Sequence, residues 1–179
     1  VLLSCKGIEI DRTFLIIGHQ ANTVRNSLEK YSEIEFVIQK NQLGTGHAIQ
    51  QLLPFLKNFS GELLILNGDV PLIKESTIKE LLSKHRHYKA GVTFLSTKSS
   101  DPRGYGRVFA NKEGKVTQII EEKDCNNEQK TNILVNSGIY CFDWQILKSI
   151  LTKLKANNNQ GEIYLTDAIE KIDEAYHVE

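Results

Sequence analysis

Three stretches of this 179-residue sequence hold side chains suited to gripping phosphates, a hard cation or hydroxyl groups. The first is Leu66-Asn67-Gly68-Asp69-Val70-Pro71-Leu72, where a carboxylate follows an apolar run. Gly68 lets a ligand approach the backbone, and Pro71 stiffens the exit. A hard oxygen there suits a magnesium ion that keeps several waters and bridges to phosphates. A plain Asx turn explains the same residues, and the local pattern alone favours it. The second stretch is Gln39-Lys40-Asn41-Gln42-Leu43-Gly44-Thr45-Gly46-His47-Ala48. Its glycines and Thr45 let backbone N–H groups face outward at a helix start, where acceptors and anions are favoured. It is neither a P-loop, lacking Gly-Lys-Ser/Thr, nor the dinucleotide GxGxxG, lacking a third glycine. A tight turn into a helix is the plain alternative. The third is Gly104-Tyr105-Gly106-Arg107, set against Glu121-Glu122-Lys123-Asp124 and Asn136-Ser137-Gly138. Glu121 and Asn136 can bind sugar hydroxyls, although a solvated charge cluster reads the same way.

Other chemistry finds little support. His47 stands at a helix start, where it can act as a base, cap or pack. His85 and His87 are two apart on an expected helix and do not share a face. Cys125 has no neighbouring His or helix signal to lower its pKa. Neither a Ser-His-Asp nor a Cys-His arrangement emerges.

These stretches need a scaffold. Thr13–Ile17, Glu35–Gln39, Leu63–Leu66 and Gly91–Ser96 read as strands, the apolar runs among them buried on both faces. Helices fall between them: Val24, Leu28 and Tyr31 behind an Asn22 or Thr23 cap, His47–Leu56 interrupted by Pro54, and a segment capped by Ser76. Strands alternating with helices imply crossovers and a mostly parallel sheet, a Rossmann-like α/β fold. Such sheets bind ligands beyond the carboxyl ends of their strands. After about residue 100, Arg107–Ala110 and Lys115–Glu121 read as a hairpin inserted into the sheet. Val135–Phe142 is a further strand, Asp143 caps a helix over Trp144–Leu154, and Leu165–Ala175 is a last helix.

Composition narrows the class. Lys plus Arg is 22 and Asp plus Glu is 22, a net charge of +0. That balance argues against nucleic acid and against an anionic membrane surface as partners. No apolar run approaches the roughly 18–20 residues of a membrane span. Three scattered cysteines share no metal spacing and fit free thiols in a reducing cytoplasm. The start lacks the pattern of a signal peptide, and a chain with no Met that opens on an apolar stretch suggests a fragment.

QLGTGHA, LNGDVPLI, DPRGYGRV, GKVTQIIEEKD, VNSGIY and NNNQGEIYLTD occur in this order. Together they resemble the uridylyltransferase domain of the bifunctional bacterial enzymes that make UDP-N-acetylglucosamine, across roughly Phe14 to Ala168. The resemblance implies that Gln39, Gly44 and Thr45 contact the uracil end of the nucleotide. It places Asn67, Gly68 and Asp69 at the ribose and phosphates, with Asp69 a magnesium ligand; Asn67 stands where related sequences often have Tyr. Gly106, Glu121 and Asn136 would hold N-acetylglucosamine, with Glu162, Tyr164 and Thr166 near the sugar and its acetyl group. The implied reaction joins UTP and N-acetylglucosamine 1-phosphate into UDP-N-acetylglucosamine and pyrophosphate, in the cytoplasm, for cell-wall precursors.

The family also opens with a strand and a triphosphate loop, LxAGxGTRM, and a Lys slightly later. Nothing like them appears in residues 1–179, and the family's second metal ligand, an Asn, would lie beyond Glu179. Loss of cationic clamps costs on the order of 10³–10⁵ in phosphoryl-transfer rate. The chain alone is therefore expected to be weakly active or inactive, with a gap or unpaired edge in its sheet. The acetyltransferase half of the family is a hexapeptide-repeat β-helix, absent from residues 1–179. Full-length members are trimeric through it, so the fragment is expected to be monomeric. Three other readings are a transferase for a different sugar 1-phosphate or nucleotide, a non-catalytic sugar-nucleotide-binding module, and a Rossmann dehydrogenase. The missing dinucleotide fingerprint disfavours the last.

Overall fold

The computed structural model describes residues 1–173 and residue 178. The first unit is a parallel pair, β1 (Thr13–Ile17) and β2 (Ile34–Ile38), joined through α1 (Ala21–Ser27). Helix α2 (Thr45–Gln50) follows and gives way to turns before Pro54, which cannot sit inside a helix. Strand β3 (Glu62–Ile65), helix α3 (Glu75–Tyr88) and strand β4 (Val92–Lys98) come next. The hairpin β5 (Arg107–Ala110) and β6 (Val116–Ile120) leads to the long β7 (Leu134–Asp143), α4 (Trp144–Leu151) and α5 (Asp167–Asp173).

The α/β class stands, but among the described residues the expected mostly parallel sheet is two sheets: β1 and β2 pair in parallel, and every pairing among β3 to β7 is antiparallel. Strand β7 runs antiparallel to β3, β4 and β5. Because β3 and β4 both oppose β7, they run parallel to each other, with β7 inserted between them. The chain returns through the sheet after its hairpin, and helix–strand alternation in sequence does not report that return.

Period-two alternation shows why the strands are apolar throughout. Leu63 and Ile65 of β3 face the same core as Tyr140 and Phe142 of β7, together with α4 and α5. Leu64 of β3, with Ile139 and Cys141 of β7, faces the other way, onto Ile78, Leu81 and Leu82 of α3. Both sheet faces are covered, as the apolar runs require. Trp144 is fully buried, and its Nε1 donates to the Leu56 carbonyl at 2.9 Å, pinning α4 to the turns behind α2. Asp143 caps α4 as expected, accepting from Ile146 N at 3.0 Å.

Two expected caps are not observed. Ser76 lies inside α3, whose cap position is Lys74, with no side-chain cap bond. Asn22 and Thr23 lie inside α1 behind Gln20, which takes a left-handed backbone at φ 52°. In both cases the helix begins earlier than the candidate cap, and other residues occupy the flanking position. The expected final helix begins at Asp167, and its stretch past residue 173 lies outside the described residues.

A groove of about 1540 Å³ separates β1 from β3 and runs to the carboxyl ends of both. Among the described residues, β1 pairs with β2 alone and β3 with β7 alone. Their facing edges carry unpaired backbone groups across an apolar floor that includes Phe14, Ile16, Leu63 and Ile65.

Candidate active site

Strand β7 creates the site. Along one edge it pairs with β4, while β5 and β3 share the other, β5 at Val135 and β3 from Tyr140 onward. Between those two pairings its register against β4 slips, with Phe94 opposite Tyr140 but Ser96 opposite Asn136. Gly138 sits in this bulge at φ 74°, and a Cβ there would run into the side-chain amide of Asn67. Only glycine takes this backbone so cheaply. On the other edge, β5 and β3 leave residues 137–139 of β7 unpaired, a notch between Gly106, just before β5, and Asn67, just after β3.

Buried polar groups line the notch. Asn136, 8 % exposed, donates from Nδ2 to the Tyr140 hydroxyl at 2.5 Å and accepts from Gly138 N at 3.1 Å. Its own backbone N–H donates to the Gly106 carbonyl at 2.9 Å, so the loop and β7 are tied together. Burial pushes the Tyr140 hydroxyl pKa up, so it stays protonated. Glu121 lies behind Gly106: a Cβ on that glycine would stand 3.3 Å from Glu121 Oε2. Glu121 Oε1 accepts from the buried Thr166 hydroxyl at 3.0 Å. Burial raises the Glu121 pKa, the Thr166 bond opposes that, and Asp124 and Glu162 add to it. Arg107 is 1 % exposed. Its Nη1 donates to the Tyr105 carbonyl and lies 3.8 Å from Glu122 Oε2, while Glu122 accepts from Gly104 N. The guanidinium thus holds the Gly104–Gly106 loop from beneath.

A second clamp joins the 43–46 turn to the 163–165 segment. Leu43 and Gly46 pair with Ile163 through two backbone bonds of 2.8 Å, and Thr45 Oγ1 accepts from Leu165 N at 3.0 Å. Gly44 makes this possible at φ 104° and ψ 174°, a conformation essentially closed to other residues. Asn158 holds the incoming chain, donating to the Glu162 carbonyl at 2.6 Å and accepting from Glu162 N at 3.1 Å.

The groove brings together Gln39, Thr45, Asn67, Gly68, Asp69, Gly106, Glu121, Asn136 and Thr166. Three expected residues are not part of its lining. Gly44 shapes the turn, Glu162 sits in the stapled segment, and Tyr164 is 5 % exposed, with its hydroxyl accepting from Gln160. Arg107, Tyr140 and Asn158 lie within the motifs named above, but the sequence assigned none of them a role. Charged Arg107 at a strand start and the Asn157–Asn159 run were the available signals, but neither shows burial.

Asp69 is exposed at the carboxyl end of β3, beside Gly68, whose Cβ position meets no atom within 4 Å. Among the described residues no group of three His, Cys, Asp or Glu side chains could hold a metal. This donor set fits a magnesium ion only where phosphates and waters complete the shell.

Asp167 follows Thr166 and opens α5. Burial first, then the charges of Glu121, Glu170 and Asp124, push its pKa from the ordinary 3.8 up to about 6. The folded chain therefore holds this proton more tightly than the unfolded chain does. Stability is favoured below about pH 4 and lost as pH rises towards about 6. Asp167→Asn is expected to flatten that slope and to add roughly 1 kcal/mol at pH 7, a figure reduced for partial exposure. Urea unfolding at pH 4 and pH 7 checks it; equal slopes in both proteins would refute it.

Solved structures share this α/β fold, a sheet with helices on both faces. The chain superimposes on a solved UDP-glucose pyrophosphorylase complexed with UDP-glucose with a TM-score of 0.64 and 20% identity, covering 92% of this chain and 70% of that one. HddC from Yersinia pseudotuberculosis superimposes with a TM-score of 0.66 and 16% identity, covering 99% and 72%. A family model described as nucleotidyl transferase matches residues 1–179, and the chain belongs to that family. It is 52% identical over 179 residues to the Bifunctional protein GlmU of Prochlorococcus marinus strain MIT 9211, covering 100% of this chain and 40% of the relative. The corresponding protein of Rippkaea orientalis is 51% identical over 169 residues, covering 94% and 37%. The chain thus spans about 40% of the length of the first of these relatives. No helix among the described residues is long and apolar enough to cross a membrane.

Proposed function

We propose that this chain is the nucleotide- and sugar-binding part of a cytoplasmic enzyme that makes UDP-N-acetylglucosamine and pyrophosphate from UTP and N-acetylglucosamine 1-phosphate. The supporting observation is the meeting of Gln39, Asp69, Glu121 and Asn136, from four separate segments, along one groove. It is joined by the identity to proteins named Bifunctional protein GlmU.

The chemistry needs no protein nucleophile. The sugar phosphate is already anionic, so its oxygen attacks the α-phosphorus of UTP while the bond to pyrophosphate breaks. The chain's task is alignment. Gln39 and the Gly44–Thr45 turn take the base end. Glu121 accepts sugar hydroxyls, and the second N–H of Asn136 is available to the sugar. Glu162, Tyr164 and Thr166 form the wall behind the acetyl group. Asp69 would hold a magnesium ion, which supplies positive charge against the repulsion of the phosphates. The groove between β1 and β3 has the paired free edges that one more strand would satisfy, and we place there the strand that carries the family's triphosphate loop. The trimeric whole protein belongs to the same proposal.

Calorimetric titration with UDP-N-acetylglucosamine, with and without magnesium and beside UDP-glucose, tests this. We expect preference for the acetylated sugar, and about a tenfold loss in Asp69→Ala seen only with magnesium present. Equal binding of both sugars would favour a different sugar 1-phosphate. A magnesium-independent loss would remove Asp69 from the metal.

A further inference from the structure

Gln39 is 9 % exposed, and its side-chain amide has two partners. Nε2 donates to the Gly44 carbonyl at 3.1 Å and lies 2.9 Å from His47 Nδ1. A carbonyl only accepts, so the amide nitrogen, and not its oxygen, must face Gly44. The second N–H of the same group then meets Nδ1, which has to offer its lone pair. His47 is thereby fixed as the Nε2–H tautomer. On its far side, Nε2 lies 3.2 Å from the Gln51 amide, which also donates to the His47 carbonyl at 2.9 Å. Gln51 is only partly buried, so it can turn, or leave the Nε2 proton to water. Buried Gln39 has no such freedom. Both of its donors point inward, and its Oε1 accepts no hydrogen bond from the described residues. One hydrogen bond would let the amide swing about Gly44; the second, from a different direction, fixes its plane.

We infer that His47 is a positioning residue that locks Gln39 with its carbonyl oxygen toward the cleft, so that the site reads a ring N–H of the base. Uracil offers that donor at N3. Cytosine has an acceptor there, and two facing acceptors repel. The inference rests on the proposed contact between Gln39 and the base and gives it a mechanism for selectivity.

Two measurements test it. Long-range proton–nitrogen spectra of the ¹⁵N-labelled chain, with His47 assigned by substitution, are expected to show an unprotonated Nδ1 and a protonated Nε2. A protonated Nδ1 beside a neutral ring would overturn the inference without any ligand. The second is affinity for UDP against CDP. His47→Leu is expected to cut the UDP preference about tenfold. His47→Asn, whose side-chain oxygen falls near the Nδ1 position, is expected to restore it. The gain from UDP to UDP-N-acetylglucosamine should stay constant in all three proteins, which a general loss of structure would not allow. An unchanged UDP preference in His47→Leu would overturn the role of His47 while leaving the base contact intact. No UDP preference in the parent chain, with Gln39→Ala neutral, would overturn the base contact itself.

Discussion

Gly44→Val is expected to destabilise the chain by about 3 kcal/mol or more and to abolish nucleotide binding. Two costs add. The backbone at φ 104° lies where side-chain-bearing residues are strained. A Cβ would also sit 2.5 Å from the Ile163 carbonyl oxygen and 2.9 Å from its nitrogen, and neither backbone atom can swing aside. Relief requires parting the 43–46 loop from the 163–165 segment, which breaks the bonds from Gly46, Ile163 and Leu165. Thermal unfolding with nucleotide titration above and below the transition reads both effects. A Gly44→Val protein with parental stability would show that the two segments are not coupled as described.

Glu121→Gln is expected to lower affinity for UDP-N-acetylglucosamine by roughly ten- to a hundredfold while leaving UDP affinity unchanged, since a charged acceptor contributes about 1.5–3 kcal/mol per bond. Stability is expected to move the other way. Burial raises the Glu121 pKa, so its charge costs folding free energy once pH exceeds that value. The amide removes the cost and can still accept from Thr166. A gain in stability near pH 8 with a loss confined to the sugar is the signature of a group kept for binding. Equal losses for UDP and UDP-N-acetylglucosamine would move Glu121 away from the sugar.

The strands were legible because two-sided burial demands apolar runs, and Leu63–Leu66 and Tyr140–Phe142 supply them to both cores. Asp143 was legible as a cap because its side chain performs a local task. Ser76 was not, because helix start positions depend on where the preceding loop enters. The direction of β7 was also hidden: a strand's residues report burial, not polarity relative to its neighbours. At the site, the glycines and Glu121 carried type and spacing. Arg107, Asn158 and the link from His47 to Gln39 did not, because their roles come from contacts across the fold. His47 and Gln39 are eight residues apart, with only a turn to bring them together.

One cleft, at the notch in β7 beside the end of β3, is proposed to receive a uridine nucleotide sugar. Amide chemical shifts of the labelled chain, followed during addition of UDP-N-acetylglucosamine, locate the bound ligand. Saturating shifts are expected at Gly44–Gly46, Gly68, Gly106 and Asn136, with the α3 face unmoved. Shifts confined to α3, or a well-dispersed spectrum that does not change at millimolar ligand, would place the nucleotide sugar elsewhere or nowhere on this chain.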